Sequence, residues 1–199
     1  GAGGGAGAAP GGALYSLNSG LTLSHCLVTN NAAFEGAGGG VAIVNGTALV
    51  SNCTVVANAT WTSWGGQGGG LYASGANLEV RDCVFRNNQS HAQNNGTATR
   101  GGGVHIESGT VTLRNALVCG NICSTYFSQT NWLGAGICVA GGSALIQNCT
   151  VVTNVSVATE AGGRPSEGIR REGGTVTVKD SIVWDHTDDL VGFPTNAQG

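Results

Sequence analysis

The chain has 199 residues, 36 of them Gly, and only 10% are charged, against roughly 25% in an average domain. A hydrophobic share of 41% is close to normal and gives no argument for disorder, and no apolar run approaches the roughly 20 residues of a membrane-spanning helix. A net charge of −3 argues against nucleic acid as a partner, because such proteins carry a basic stripe.

The first ten residues are Gly and Ala with one Pro. With no Met and no basic leader, the chain reads as a processed product, a fragment or a piece of a longer protein. A repeat follows. Its apolar anchors are Leu14, Val41, Leu71, Val104, Ile137 and Ile169, at steps of 27, 30, 33, 33 and 32 residues. Twelve residues past each anchor stands a small residue: Cys26, Cys53, Cys83, Ala116, Cys149 and Ser181. Five further on stand Asn31, Asn58, Asn88, Asn121, Asn154 and His186. From this column to the next anchor the spacing varies, so each unit combines a fixed half with one variable loop, the signature of a solenoid.

Within a unit, apolar residues alternate with period two, as in Leu21 with Leu23, Leu78 with Val80 and Val111 with Leu113. Another short strand carries Val28, Val55, Phe85, Val118, Val151 and Val183. The fold expected is all-β: a single parallel β-helix of about six coils of three short strands, right-handed, over residues 11–186. Residues 1–10 form a Gly/Ala-rich segment and 187–199 a C-terminal tail. Coils stacked ~4.8 Å apart pile equivalent side chains on one another. A narrow corner then accepts Cys, Ala or Ser, and an inward Asn ladder can bond its own bend and the next coil. Gly pairs such as Gly69-Gly70, Gly102-Gly103 and Gly173-Gly174 are expected to supply positive φ at corners.

These residues resemble the right-handed parallel β-helix repeat proteins of bacterial surfaces, and in particular polymorphic outer-membrane protein repeats of the chlamydial type. That family alternates a Gly-Gly-Ala-(Ile/Leu/Val) element with a Phe-x-x-Asn element, matched here by Gly11-Gly12-Ala13-Leu14 and Phe85-Arg86-Asn87-Asn88. Other units place Val where the family has Phe. The resemblance implies an extracellular adhesive, passenger or scaffold role.

The fold also hosts polysaccharide lyases and hydrolases, so the carboxylates and histidines bear on catalysis. No Gly-His-Gly occurs. Asp82 and Asp180 read as turn residues, and Asp185, Asp188 and Asp189 as a solvated acidic turn, although such a set can also do acid-base work or bind Ca²⁺. Glu107 and Glu172 share a column two coils apart, ~10 Å, too far for a retaining pair of carboxylates and near the upper end for an inverting one. No His has zinc-like spacing. The expectation is therefore no catalytic, cofactor or metal residue. Cys26, Cys53, Cys83 and Cys149 read as a buried thiol stack. Cys119 and Cys123 can close a disulfide around a corner, with Cys123 to Cys138 as the alternative. Of seven Asn-x-Ser/Thr sequons, Asn45 and Asn95 are the acceptors a glycosylating host would use. Broken Thr columns argue against ice binding.

The candidate partner surface is a set of aromatics expected on loops at one edge: Trp61, Trp64, His91, Tyr126, Phe127 and Trp132. Exposed there, they suit glycans or host-surface proteins; folded back, they cover the strands beneath. No capping segment is evident at either end, and uncapped strand edges recruit other strands. The remaining partners expected are the rest of a longer surface protein or a second copy stacked end to end, which generates filaments. A carbohydrate-binding or carbohydrate-cleaving module is the alternative.

Overall fold

The structure is a computed structural model that describes residues 10–63, 65–93, 98–125, 132–158 and 167–193. Among these residues every strand pairing is parallel and no helix forms. The largest sheet has eleven strands. It begins with Leu14–Ser24 and Val41–Ser51, each a single long strand, and continues in coils where this strand is split in two, such as Val104–Ile106 and Gly109–Arg114. Leu14, Val41, Leu71, Val104, Ile137 and Ile169 lie in register across it. A second sheet takes one three-residue strand from each of six coils, Leu27–Thr29 through Ile182–Trp184.

A third, five-stranded sheet lies just past the Asn column, where spacing predicted only variable loop. Its strands are Ala32–Phe34, Ala59–Thr62, Gln89–Ala92, Ile122–Thr125 and Val155–Ala158. Sequences such as Gln-Ser-His-Ala carry no period-two signal, because several of these positions are small or polar yet buried on both faces. Two further segments, Thr99–Arg100 and Trp132–Leu133, pair with each other, and Gln67 bridges to Arg100. The tail also contributes a strand, Asp188–Val191, paired with Glu167–Arg171.

The interior is built in columns. Val50, Val80, Leu113 and Ile146 are fully buried layers of one column, and Val55, Phe85, Val118 and Val151 of another. At the first and last coils several interior residues are only partly covered by the described residues: Leu14, Leu21 and Leu23 at one end, although Val28 there is buried, and Val176, Val178 and Val183 at the other.

The Asn column is a directional hydrogen-bond ladder. Asn58 donates its backbone N–H and its Nδ2–H to Asn88 Oδ1, both at 3.0 Å. Asn88 does the same to Asn121, and Asn121 to Asn154. Each Nδ2 also reaches a carbonyl of the preceding coil, such as Val55 O at 2.9 Å from Asn88. The last rung is His186, whose Nε2 lies 3.2 Å from Asn154 Nδ2.

Two of the left-handed corners in each coil are held mostly by Asn and Asp. The first holds His25, Asn52, Asp82, Asn115, Asn148 and Asp180, with φ between 48° and 56°. The second holds Asn30, Ala57, Asn87, Gly120, Thr153 and Asp185. Asn and Asp tolerate this region better than other non-Gly residues. The Gly pairs divide. Gly173-Gly174 supplies the expected positive φ, at 68° for Gly174, whereas Gly69, Gly70, Gly102 and Gly103 are not left-handed; the residues before them, Gly68 and Gly101, are, at φ 64° and 56°. Gly103 is required by close approach: a Cβ there would stand 2.7 Å from Gly136 O and 2.9 Å from Asn121 Nδ2.

Two stability changes follow. Asn88→Ala strands the buried Asn58 donors and empties a carbonyl bond, at ~1–3 kcal/mol for each orphaned group. A chemical-denaturation midpoint should therefore fall by about 3 kcal/mol in stability, and by much less for Asn31→Ala in the half-covered first coil. Thr153, exposed and β-branched at φ 54°, carries strain of roughly 1 kcal/mol. Thr153→Asn should raise the melting temperature by about 2–4 °C.

Candidate functional site

The third sheet carries an aromatic strip on its outer face. Phe34, Trp61 and His91 are register partners on successive coils. Strand alternation puts Ala33, Thr60 and Ser90 on the opposite, buried side. The Trp61 and His91 rings have centroids 4.5 Å apart and are tilted by 51°. His91 is buried and its Nδ1 lies 2.8 Å from Ser124 Oγ, while Phe34 is 54% exposed. Next to Phe34, Glu35 donates its N–H to the Trp61 carbonyl, and its carboxylate accepts the N–H and hydroxyl of Ser63. A cleft of about 360 Å³ opens beside it, lined by Glu35, Gly36, Ala37, Thr62, Gly65 and Gln67.

Trp61 and His91, expected on loops, are thus strand residues. Trp132 opens the strand Trp132–Leu133, where its backbone pairs with Thr99. Trp64, Tyr126 and Phe127 lie outside the described residues. Phe34 escaped sequence reasoning, although it stands three residues past Asn31 as Trp61 stands past Asn58 and His91 past Asn88.

A second constellation lies on the outward side of the large sheet. Tyr72, His105, Cys138 and Arg170 occupy one column on four successive coils. Cys138 packs with Ala98 and Leu133 beside the paired outer segments. The Tyr72 and His105 rings stack with centroids 5.7 Å apart. His105 Nε2 is 3.0 Å from Glu107 Oε2, and a carboxylate only accepts, so Nε2 carries the proton. That leaves Nδ1 buried and without a partner. Arg100 grips Glu172 at 2.6 Å through Nε, and the Cys138 thiol donates to the same carboxylate at 3.6 Å. Glu167 accepts from Gly134 N–H at 2.7 Å and from Arg170 at 2.9 Å.

These contacts set the chemistry. The bond from His105 holds the Glu107 carboxyl below its ordinary range. A general acid needs the opposite shift. Burial raises Glu167, with the Gly134 N–H and Arg170 opposing it. Among the described residues no three His, Cys, Asp or Glu side chains cluster to hold a metal ion.

The interior candidates are placed as follows. Cys53, Cys83 and Cys149 are buried, and each thiol donates to the carbonyl two residues back at 3.1–3.2 Å, as does half-buried Cys26. Ser181 makes the same bond through its hydroxyl, and Ala116 fills its layer without one. All seven Cys are free thiols, so neither Cys119–Cys123 nor Cys123–Cys138 is joined. Cys119 is a half-buried member of the outward column of the second sheet, with Arg86 and Val152. Cys123 is fully buried in the column of Ser90, and the corner at Gly120 and Asn121 separates the two. Burial pushes the Cys123 thiol up to about 12 and Cys83 to about 11, well away from thiolate reactivity. Of the acidic turn, Asp185 is a left-handed corner residue and Asp189 holds His186 Nδ1 at 2.9 Å.

Burial lowers the affinity of His105 and His91 for protons. Unfolded His titrates near 6.5 and then binds more protons than the native state, so stability is complete above that pH and declines below it. The limiting slope is ~1.4 kcal/mol per pH unit per group. Melting temperature should fall between pH 7.5 and 5.5, and His105→Gln should flatten that fall.

Among the described residues no helix is long and apolar enough to cross a membrane. No curated protein and no solved structure is detectably similar to the chain. Residues 7–155, about three-quarters of the chain, match the family described as the right handed beta helix region. The parallel coils, the continuous ladder and this match together make the chain a member of the right-handed β-helix family.

Proposed function

We propose that the chain is a structural and adhesive β-helix unit of the cell surface or extracellular space, continued end to end by the rest of a longer surface protein or by a second copy. The observation that carries this reading is the state of the interior columns. Their middle layers are sealed, whereas Leu14, Leu21 and Leu23 at one end and Val176, Val178 and Val183 at the other are only half covered among the described residues. Apolar surface of this kind is stabilised by a further coil. The low charge content reduces repulsion between stacked copies. Placement outside the cell rests on the resemblance of the repeat elements to bacterial surface β-helices.

The fold is shared by structural proteins and polysaccharide-cleaving enzymes, so it does not decide catalysis. The non-enzymatic reading is supported by the engagement of both candidate carboxylates, Glu107 by His105 and Glu172 by Arg100. One observation favours the alternative of carbohydrate recognition, the aromatic strip of the third sheet.

Negative-stain electron microscopy of the purified chain tests the assembly. Self-stacking predicts filaments with an axial repeat of about 29 Å, six coils at ~4.8 Å each. Isolated short rods at high concentration exclude self-stacking and leave the longer-protein arrangement.

A further inference from the structure

The geometry points to the outer face of the third sheet as a glycan-binding strip, over which two or three units of a neutral oligosaccharide lie along the coil axis. The inference rests on the adhesive part of the function proposed above and assigns it a place and a ligand class.

The strip has the two-sided chemistry a pyranose requires. One side is aromatic: Phe34 and Trp61 stand in register on adjacent coils, ~4.8 Å apart, close to the repeat of a linked sugar chain. Phe34 has more than half its surface in solvent although it belongs to a strand. Its ring is free to meet the C–H face of a sugar. The other side is polar. The cleft beside the strip is lined by Glu35 and Gln67, which bring a carboxylate and an amide to it. An apolar peptide would leave these groups unmatched, whereas sugar hydroxyls match them.

The strip is also held in place before any ligand arrives. His91 lies against Trp61 and is itself bonded to Ser124 on the next coil. Glu35 is held through Ser63 and through the Trp61 carbonyl. Such preorganisation lowers the entropic cost of binding. The ionised group lining the cleft is a carboxylate, which selects a neutral glycan over an anionic one.

Calorimetric titration of the full chain with cello-, chito- and manno-oligosaccharides of three to six units, and with a polyuronate of equal length, tests the assignment. At least one neutral series should bind. Trp61→Ala and Phe34→Ala should each weaken it about tenfold or more. Trp184→Ala, an exposed Trp on the second sheet, should not. Far-UV circular dichroism and melting temperature verify that each variant folds, and Phe34, being exposed, is the safer of the two. No binding of any neutral series at millimolar concentration overturns the inference. So does binding that survives both substitutions, or preference for the polyuronate. Rod or filament assembly is read separately by microscopy, so loss of this inference is distinguishable from loss of the scaffold reading.

Discussion

The Asn ladder is the constraint from which the other columns follow. A parallel β-helix must turn at the same place in every coil, and each turn buries backbone groups that no strand pairs. Asn58, Asn88, Asn121 and Asn154 meet this need by bonding forward to the next rung and back to a carbonyl of the previous coil. The rung then occupies space. Gly70, Gly103 and Gly136 pass directly over it, and any side chain there would enter the amide or the backbone above. Part of the glycine content is therefore a packing consequence of asparagine. The residue before each rung turns left-handed, which explains Asn30, Asn87 and Gly120 in one column.

Because the interior is fixed layer by layer, variation moves to the outward columns and to the segments that cross them. The outward column of the third sheet became aromatic at Phe34 and Trp61. That of the large sheet became polar at Tyr72, His105 and Cys138, and is covered by the paired outer segments. The two faces differ in access. His105 and Cys138 are sealed and serve the fold, with an orphaned imidazole nitrogen that makes the site sensitive to acid. Phe34 is exposed, and the cleft lined by Glu35 and Gln67 opens beside it.

Much of this architecture was legible in spacing alone. The anchors, the small corner and the rungs recur at fixed offsets, because register in a stacked coil is a fact of counting. Four features were not legible. The third sheet lacks alternation, since residues such as Ser90 and Cys123 are buried without being large or apolar. The roles of the Gly pairs depended on what lies a coil away. The Cys119–Cys123 spacing suited a disulfide, but their columns face different surroundings. Phe34 was visible in spacing three residues past its rung, yet only a sheet at that position gave the spacing meaning.

The sequence by itself determined a stacked, all-parallel β solenoid, its interior columns and its ladder, because each depends on residues recurring at the same offset within the chain. The tertiary structure decided which outward residues are exposed. Trp61 came to lie against a buried His91, Phe34 stayed exposed on the same column, and His105 was sealed only when segments distant in sequence closed over its column. Burial of that kind depends on what packs above a residue, and no local spacing records it.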